Sequence, residues 1–173
     1  VGGGSATLTS SGNTYSGATT INSSATLLLN GAGTIASSSS LTNYGTFDIS
    51  QTTSGATIVS LAGAGSVILG SQSLTITSGA GTFSGAISGS GGLTLTGGSQ
   101  YLTGDNSYTG GTTIKGGTLI VGAGAANGWI IGNVAGSGSG TLASNRSDNV
   151  PFSGTVSGAV GLTQAGSGIL TLT

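Results

Sequence analysis

The chain has 173 residues, a length that suits one domain, with 37 glycines, no cysteine and a formal net charge of −1. Only 3% of it is charged, against roughly a quarter of an ordinary soluble protein. That leaves no basic stripe for nucleic acid, no polybasic segment for anionic lipid, no disulfide and no thiolate metal site.

Glycine and serine in this abundance raise the question of disorder, but a mean hydropathy of +0.34 and regular apolar spacing argue against it. The opening "VGGGSATLTS" shows no basic-then-apolar leader. Period-two alternation begins at once, in Ala6–Ser10. Turn chemistry follows at Asn30 ("NGAG") and Tyr44 ("YGT"), where Gly and Asn reach left-handed backbone conformations cheaply. In "TFDIS" the alternation turns Asp48 away from Phe47 and Ile49, toward solvent. Further strands are predicted at Ala56–Ser60, Ser73–Ser78 and Gly92–Gly97, with turns at Gly63 and Ser88 between them. In "SLTITS", Leu74 and Ile76 share one face while Thr75 and Thr77 share the other. Asp105 falls in the turn "GDNSY", a position where Asp bonds its own backbone. Strands resume at Thr112–Lys115 and Thr118–Gly122. The weakly polar run from Thr118 to Gly136 is too rich in Gly, Asn and β-branched residues for a membrane helix. The pattern lapses over 128–154, which holds Trp129, Arg146, Asp148 and the single proline, Pro151; an irregular rung or protruding loop is expected there. Ile169–Thr173 closes the chain as another strand.

No window reads as a helix, because Glu and Met are absent, Lys and Arg number two together, and Gly interrupts throughout. The fold is therefore all-β. Repetition selects among β architectures. "FSGAISGSGGLT" (Phe83–Thr94) returns as "FSGTVSGAVGLT" (Phe152–Thr163), and "GNTYSGATTI" (Gly12–Ile21) returns as "DNSYTGGTTI" (Asp105–Ile114). A β-sandwich needs no such echoes; a stacked solenoid does. At roughly 20 residues per rung, seven to nine rungs and a column of about 35–45 Å are expected.

The stretch "FSGAISGSGGLTLTGGSQYLTGDNSYTGGTTIKGGTLIVG" (Phe83–Gly122) resembles the passenger-associated repeat of bacterial autotransporters, with its F-x-G turn, G-x-G-G-L-T entry, N-x-Y-T-G-G-T-x-I and G-T-L. Residues Asn43–Ile76 resemble the spacer that precedes such repeats. The resemblance implies a single-stranded right-handed parallel β-helix exported by the type V route to the extracellular space or cell surface of a Gram-negative bacterium. It also implies an adhesive or self-associating passenger, with a host or bacterial surface, or another copy, as partner. The whole of 1–173 is expected to be one solenoid segment, a slice of a longer passenger whose membrane barrel lies elsewhere; a processed subunit stacking through two open ends is the alternative.

Candidate chemistry is sparse. The carboxylates Asp48, Asp105 and Asp148 are scattered, Lys115 and Arg146 are the two cations, and no base–nucleophile pair can be built without His or Cys. Asp148 and Arg146 are expected to form an exposed pair of little worth. No phosphate loop and no repeated calcium ligand is present. Catalytic, cofactor and metal residues are thus expected to be none, and the chain is not expected to be an enzyme or to insert in a membrane. The pairs Thr7/Thr9, Thr75/Thr77, Thr94/Thr96 and Thr171/Thr173 invite an ice-binding reading, but their uneven spacing fits ordinary strand propensity better. Tyr15 and Tyr108 are expected to cover glycines in equivalent turns, and Phe83 and Phe152 to plug equivalent interior corners. The expected role is a rigid, uncharged stalk or spacer, with a filament-forming subunit and an ice-binding solenoid as alternatives.

Overall fold

A computed structural model describes residues 3–173. Every strand pairing in it is parallel, and no helix occurs among the described residues. The chain winds as a three-sided coil, and each turn visits each side once. Side one carries β1 (Gly4–Leu8), β3 (Ala25–Gly31), β5 (Thr46–Thr52), β8 (Ser66–Ile68), β11 (Ala86–Ser88), β17 (Val150–Phe152) and β19 (Leu170–Leu172). Between β11 and β17 the same side is carried by isolated contacts, Ser107 donating to the Ile87 carbonyl and Asp105 bridging Trp129. Side two carries β2 (Thr19–Ile21), β4 (Leu41–Asn43), β7 (Leu61–Ala62), β10 (Thr82–Phe83), β13 (Ser99–Leu102) and β15 (Thr118–Ala125). Side three carries β6 (Ala56–Ile58), β9 (Leu74–Ile76), β12 (Leu93–Leu95) and β14 (Thr112–Ile114). Two long strands, β16 (Val134–Arg146) and β18 (Val156–Gln164), run through the corner between sides three and two.

Side one is crossed nine times, which makes about eight turns. At the usual strand separation the column is roughly 38 Å long. Thr26, Thr46, Ser66 and Ala86 stack in register, so a regular turn takes 20 residues. The turn that leads from Asp105 to Trp129 takes 24; one register shift, Val121/Ala125, falls within it and a second, Ser137/Gly140, follows it.

The core follows from this register. Leu27, Phe47, Val67 and Ile87 stack behind side one, and Ile58, Ile76, Leu95 and Ile114 behind side three, all essentially without solvent contact. Each such side chain contributes about 1.5–3 kcal/mol on burial. A neighbour of like shape lies one strand spacing above and below, so a small aliphatic side chain fills the thin interior without charge. The outward partners Thr57, Thr75, Thr94 and Thr113 stay half-exposed, and the alternation read from the sequence holds.

The repeats are placed differently from the expectation. Phe83 lies on side two, where it aligns with Leu102, Val121 and Ser144 over three further turns. Phe152 comes one side later, in β17 on side one. The second echo behaves likewise, because Thr19 of β2 lies on side two and Thr112 of β14 on side three. Both phenylalanines are buried, but their corners are not equivalent. The repeating unit is a corner, and a three-sided coil offers three places to put it.

The glycine of the F-x-G motif has a steric cause that survives this change of side. A Cβ on Gly85 would stand 2.8 Å from the ring of Phe83, and one on Gly154 would stand 2.8 Å from the ring of Phe152. Each would also collide with a carbonyl oxygen of the preceding turn, that of Gly65 or Gly132.

Candidate functional site

Two polar side chains that enter the interior, Asn106 and Gln100, tie successive turns together. Asn106 is 2% exposed. Its Oδ1 accepts from the Ile87 amide at 3.0 Å, and its Nδ2 donates to the carbonyls of Gly104 and Trp129, both at 2.8 Å. One side chain thus spans three successive turns. The expected turn bonding by Asp105 is supplied by this neighbour, while Asp105 itself is exposed. Gln100, fully buried in β13, plays the same part on side two. Its Oε1 accepts from the Leu61 amide at 3.3 Å, and its Nε2 donates to the carbonyls of Leu61 at 2.8 Å and Gly81 at 2.9 Å. Sequence reading passed over Gln100, although the signal was present: it alternates with Tyr101 and shares the inward face of Leu102.

Tyr108 and Tyr15 are joined to threonines of their own turns. Each phenol bonds the threonine four residues on, Tyr108 to Thr112 at 2.6 Å and Tyr15 to Thr19 at 2.8 Å. Tyr108 is wholly buried, and burial pushes its phenol far above the ordinary tyrosine range despite the hydrogen bond it shares with Thr112. Tyr15 remains 43% exposed, because it lies in the first described turn with a neighbouring turn on one side only.

The long turn is centred on Arg146. This residue is 8% exposed, a correction to the exposed pair that the sequence implied. Nε and Nη2 donate to the two Asp148 oxygens at 2.9 and 2.7 Å, in bidentate fashion. Nη2 also donates to the Ala126 carbonyl at 3.1 Å, and Nη1 donates to the Gly128 carbonyl. The guanidinium lies 6.0 Å from the centre of the Trp129 ring. A buried guanidinium needs partners for its nitrogens, and each of the three has at least one here. The Arg146 hydrogen bonds hold the Asp148 carboxyl below its ordinary value. Beside the pair lies an apolar cavity of about 30 Å³, bordered by Trp129, Ile130, Leu142 and Phe152 among others. That is room enough for a water, but the apolar walls offer one few partners.

The structure does not bring the remaining charged residues together. Asp48, Asp105 and Asp148 lie at the third, sixth and eighth passes of side one. Whole turns separate them, roughly 14 and 10 Å at the strand spacing, more than the span over which a carboxylate pair shares a glycosidic bond. Among the described residues no cluster of three metal-ligating side chains exists, and no helix is long and apolar enough to cross a membrane.

The threonine pairs are sorted by the coil. Thr75/Thr77 and Thr94/Thr96 stack on adjacent turns of side three, and Thr57 and Thr113 extend the inner file to four. Thr7 and Thr171 lie on side one, in β1 and β19. The file ends at Ala135. In the second file the hydroxyls of Thr77 and Thr96 donate to carbonyls of the turn before, at 3.3 Å to Ile58 and 3.2 Å to Thr77.

Residues 1–29 and 87–121 match the model of a family described as Passenger-associated-transport-repeat. The second match lies within the segment singled out in the sequence, and the first covers the turn that holds Tyr15 and Thr19. Neither a curated protein nor a solved structure matches the chain.

Proposed function

We propose that the chain, whose residues 1–29 and 87–121 match the passenger-associated transport repeat, serves as a stalk, a stiff spacer segment of a secreted or surface-exposed autotransporter passenger. The observation that carries this reading is the parallel ladder of about eight turns over a core of stacked aliphatic side chains. Such a column resists bending and compression because each turn is hydrogen-bonded to the next. The repeat family and the solenoid together suggest a structural rather than a catalytic segment. Displayed on a bacterial surface with an epitope at its outer end, the folded column should hold that epitope within reach of antibody above the surface polymer. A core-breaking variant, Leu95→Asp, should lose that reach. Equal accessibility for the two would end the spacer reading.

Self-association is the contact mode we propose for the segment. β1 and β19 each pair on one side only among the described residues, and none of the five charged residues lies in those strands. Strand edges without charge template further pairing. Light scattering over a concentration series checks this, and a mass that stays monomeric throughout would remove it.

A further inference from the structure

The loop over the Arg146 corner holds a dipeptide whose chemistry the stalk role does not use. From the structure we infer that Asn127–Gly128 is a site of spontaneous succinimide formation and deamidation, gated by the Arg146 clamp. Ala126 and Asn127 are exposed, and Gly128 adopts φ +90°. Gly128 itself is buried against Gly122, but lacking a side chain it sets no Cβ between its amide nitrogen and the exposed side chain of the preceding asparagine. That nitrogen is the donor of none of the hydrogen bonds fastening this turn, which use the Gly128 carbonyl instead.

The reaction needs only water. The Gly128 nitrogen attacks Asn127 Cγ, the Cγ–Nδ2 bond breaks, and ammonia leaves with the proton that the Gly128 nitrogen gives up. Water then opens the cyclic imide at one carbonyl or the other, leaving aspartate or isoaspartate at position 127. Ring closure requires the backbone around Asn127 to rotate. Arg146 opposes that rotation from both sides, because it holds the carbonyls of Ala126 and Gly128. Opening of the clamp therefore sets the rate, and an isoaspartate product, with one more backbone carbon between the two held carbonyls, would leave the clamp out of register.

The chain provides its own control. A second Asn-Gly pair, Asn30–Gly31, forms the last two residues of β3, aligned with Gln51 and Thr52 of β5, and the Gly31 carbonyl accepts from Thr53 at 2.9 Å. The same chemistry there requires a paired strand to open.

The test is incubation of the intact chain in mildly alkaline buffer, followed by peptide mass mapping and an isoaspartate-specific methylation assay. In urea both pairs should convert at similar rates. In the folded chain Asn127 should convert roughly tenfold faster than Asn30, as expected where local opening is easier. Arg146→Met should raise the Asn127 rate severalfold further, and Asp148→Asn, which loosens the guanidinium without deleting it, should raise it less. Conversion of Asn127 no faster than that of Asn30 in the folded chain overturns the site. An Asn127 rate unchanged in both folded variants overturns the gating.

Discussion

The phenol of Tyr108 lies 2.6 Å from the hydroxyl of Thr112, wholly inside the column where one side passes into the next. The same pair, Tyr15 with Thr19, recurs on a different side and half in solvent. The bond is therefore a property of the local corner, while its worth depends on the turns stacked around it. Tyr108→Phe should cost about 1–2 kcal/mol, since it leaves a buried Thr112 hydroxyl with one partner fewer. Tyr15→Phe should stay within about 0.5 kcal/mol of the parent. Chemical denaturation of the two variants measures both.

Alkaline stability should also depend on Tyr108. Its phenol is held neutral in the folded column by burial, whereas the unfolded chain ionises near the ordinary tyrosine value of about 10. Above that value the folded state binds the additional proton, so stability falls as pH rises toward the folded value. Tyr108→Phe should flatten that alkaline limb. An alkaline titration of the melting temperature that has the same slope for parent and variant would contradict this.

The acid limb belongs to Asp148. The Arg146 hydrogen bonds depress its carboxyl below the ordinary 3.8. The pair therefore contributes fully above that value, and the contribution is lost as pH falls through the depressed folded value. Asp148→Asn should lower stability at neutral pH and weaken its dependence on pH in the acid range. Acid titration followed by circular dichroism reads both changes.

Gly85→Ala should be among the most damaging single changes, at roughly 3 kcal/mol or more, because its Cβ meets both the Phe83 ring and a carbonyl oxygen of the turn before. Gly17→Ala, with nothing within 4 Å of the added carbon, should be neutral or stabilising, by up to about 1 kcal/mol. Urea midpoints compare the pair.

Gln100→Leu keeps the volume and removes the staple. The amide and carbonyl of Leu61 and the carbonyl of Gly81 lose their shared partner in a buried place, at a cost of about 3 kcal/mol. Faster hydrogen exchange at the Leu61 amide, ahead of global unfolding, is the signature expected.

Much of this was legible along the chain. Period-two alternation in segments such as Leu74–Ile76 and Leu93–Leu95 marks strand, inward face and outward face, because side chains on a strand alternate whatever lies beside it. The two echoes mark a stacked coil, and F-x-G marks a corner, because a ring and a carbonyl crowd that glycine on any side. What the chain order leaves open is lateral. Which side Phe152 occupies, which threonines share a file, and that Arg146 lies inside against Asp148, Trp129 and two carbonyls all depend on how many residues each intervening turn consumes. That number ranges from 18 to 24 here, and one long turn re-addresses every residue after it. Local alternation is short-range stereochemistry and can be read from neighbours in sequence, whereas register between turns is a sum over whole turns and is decided only when they stack.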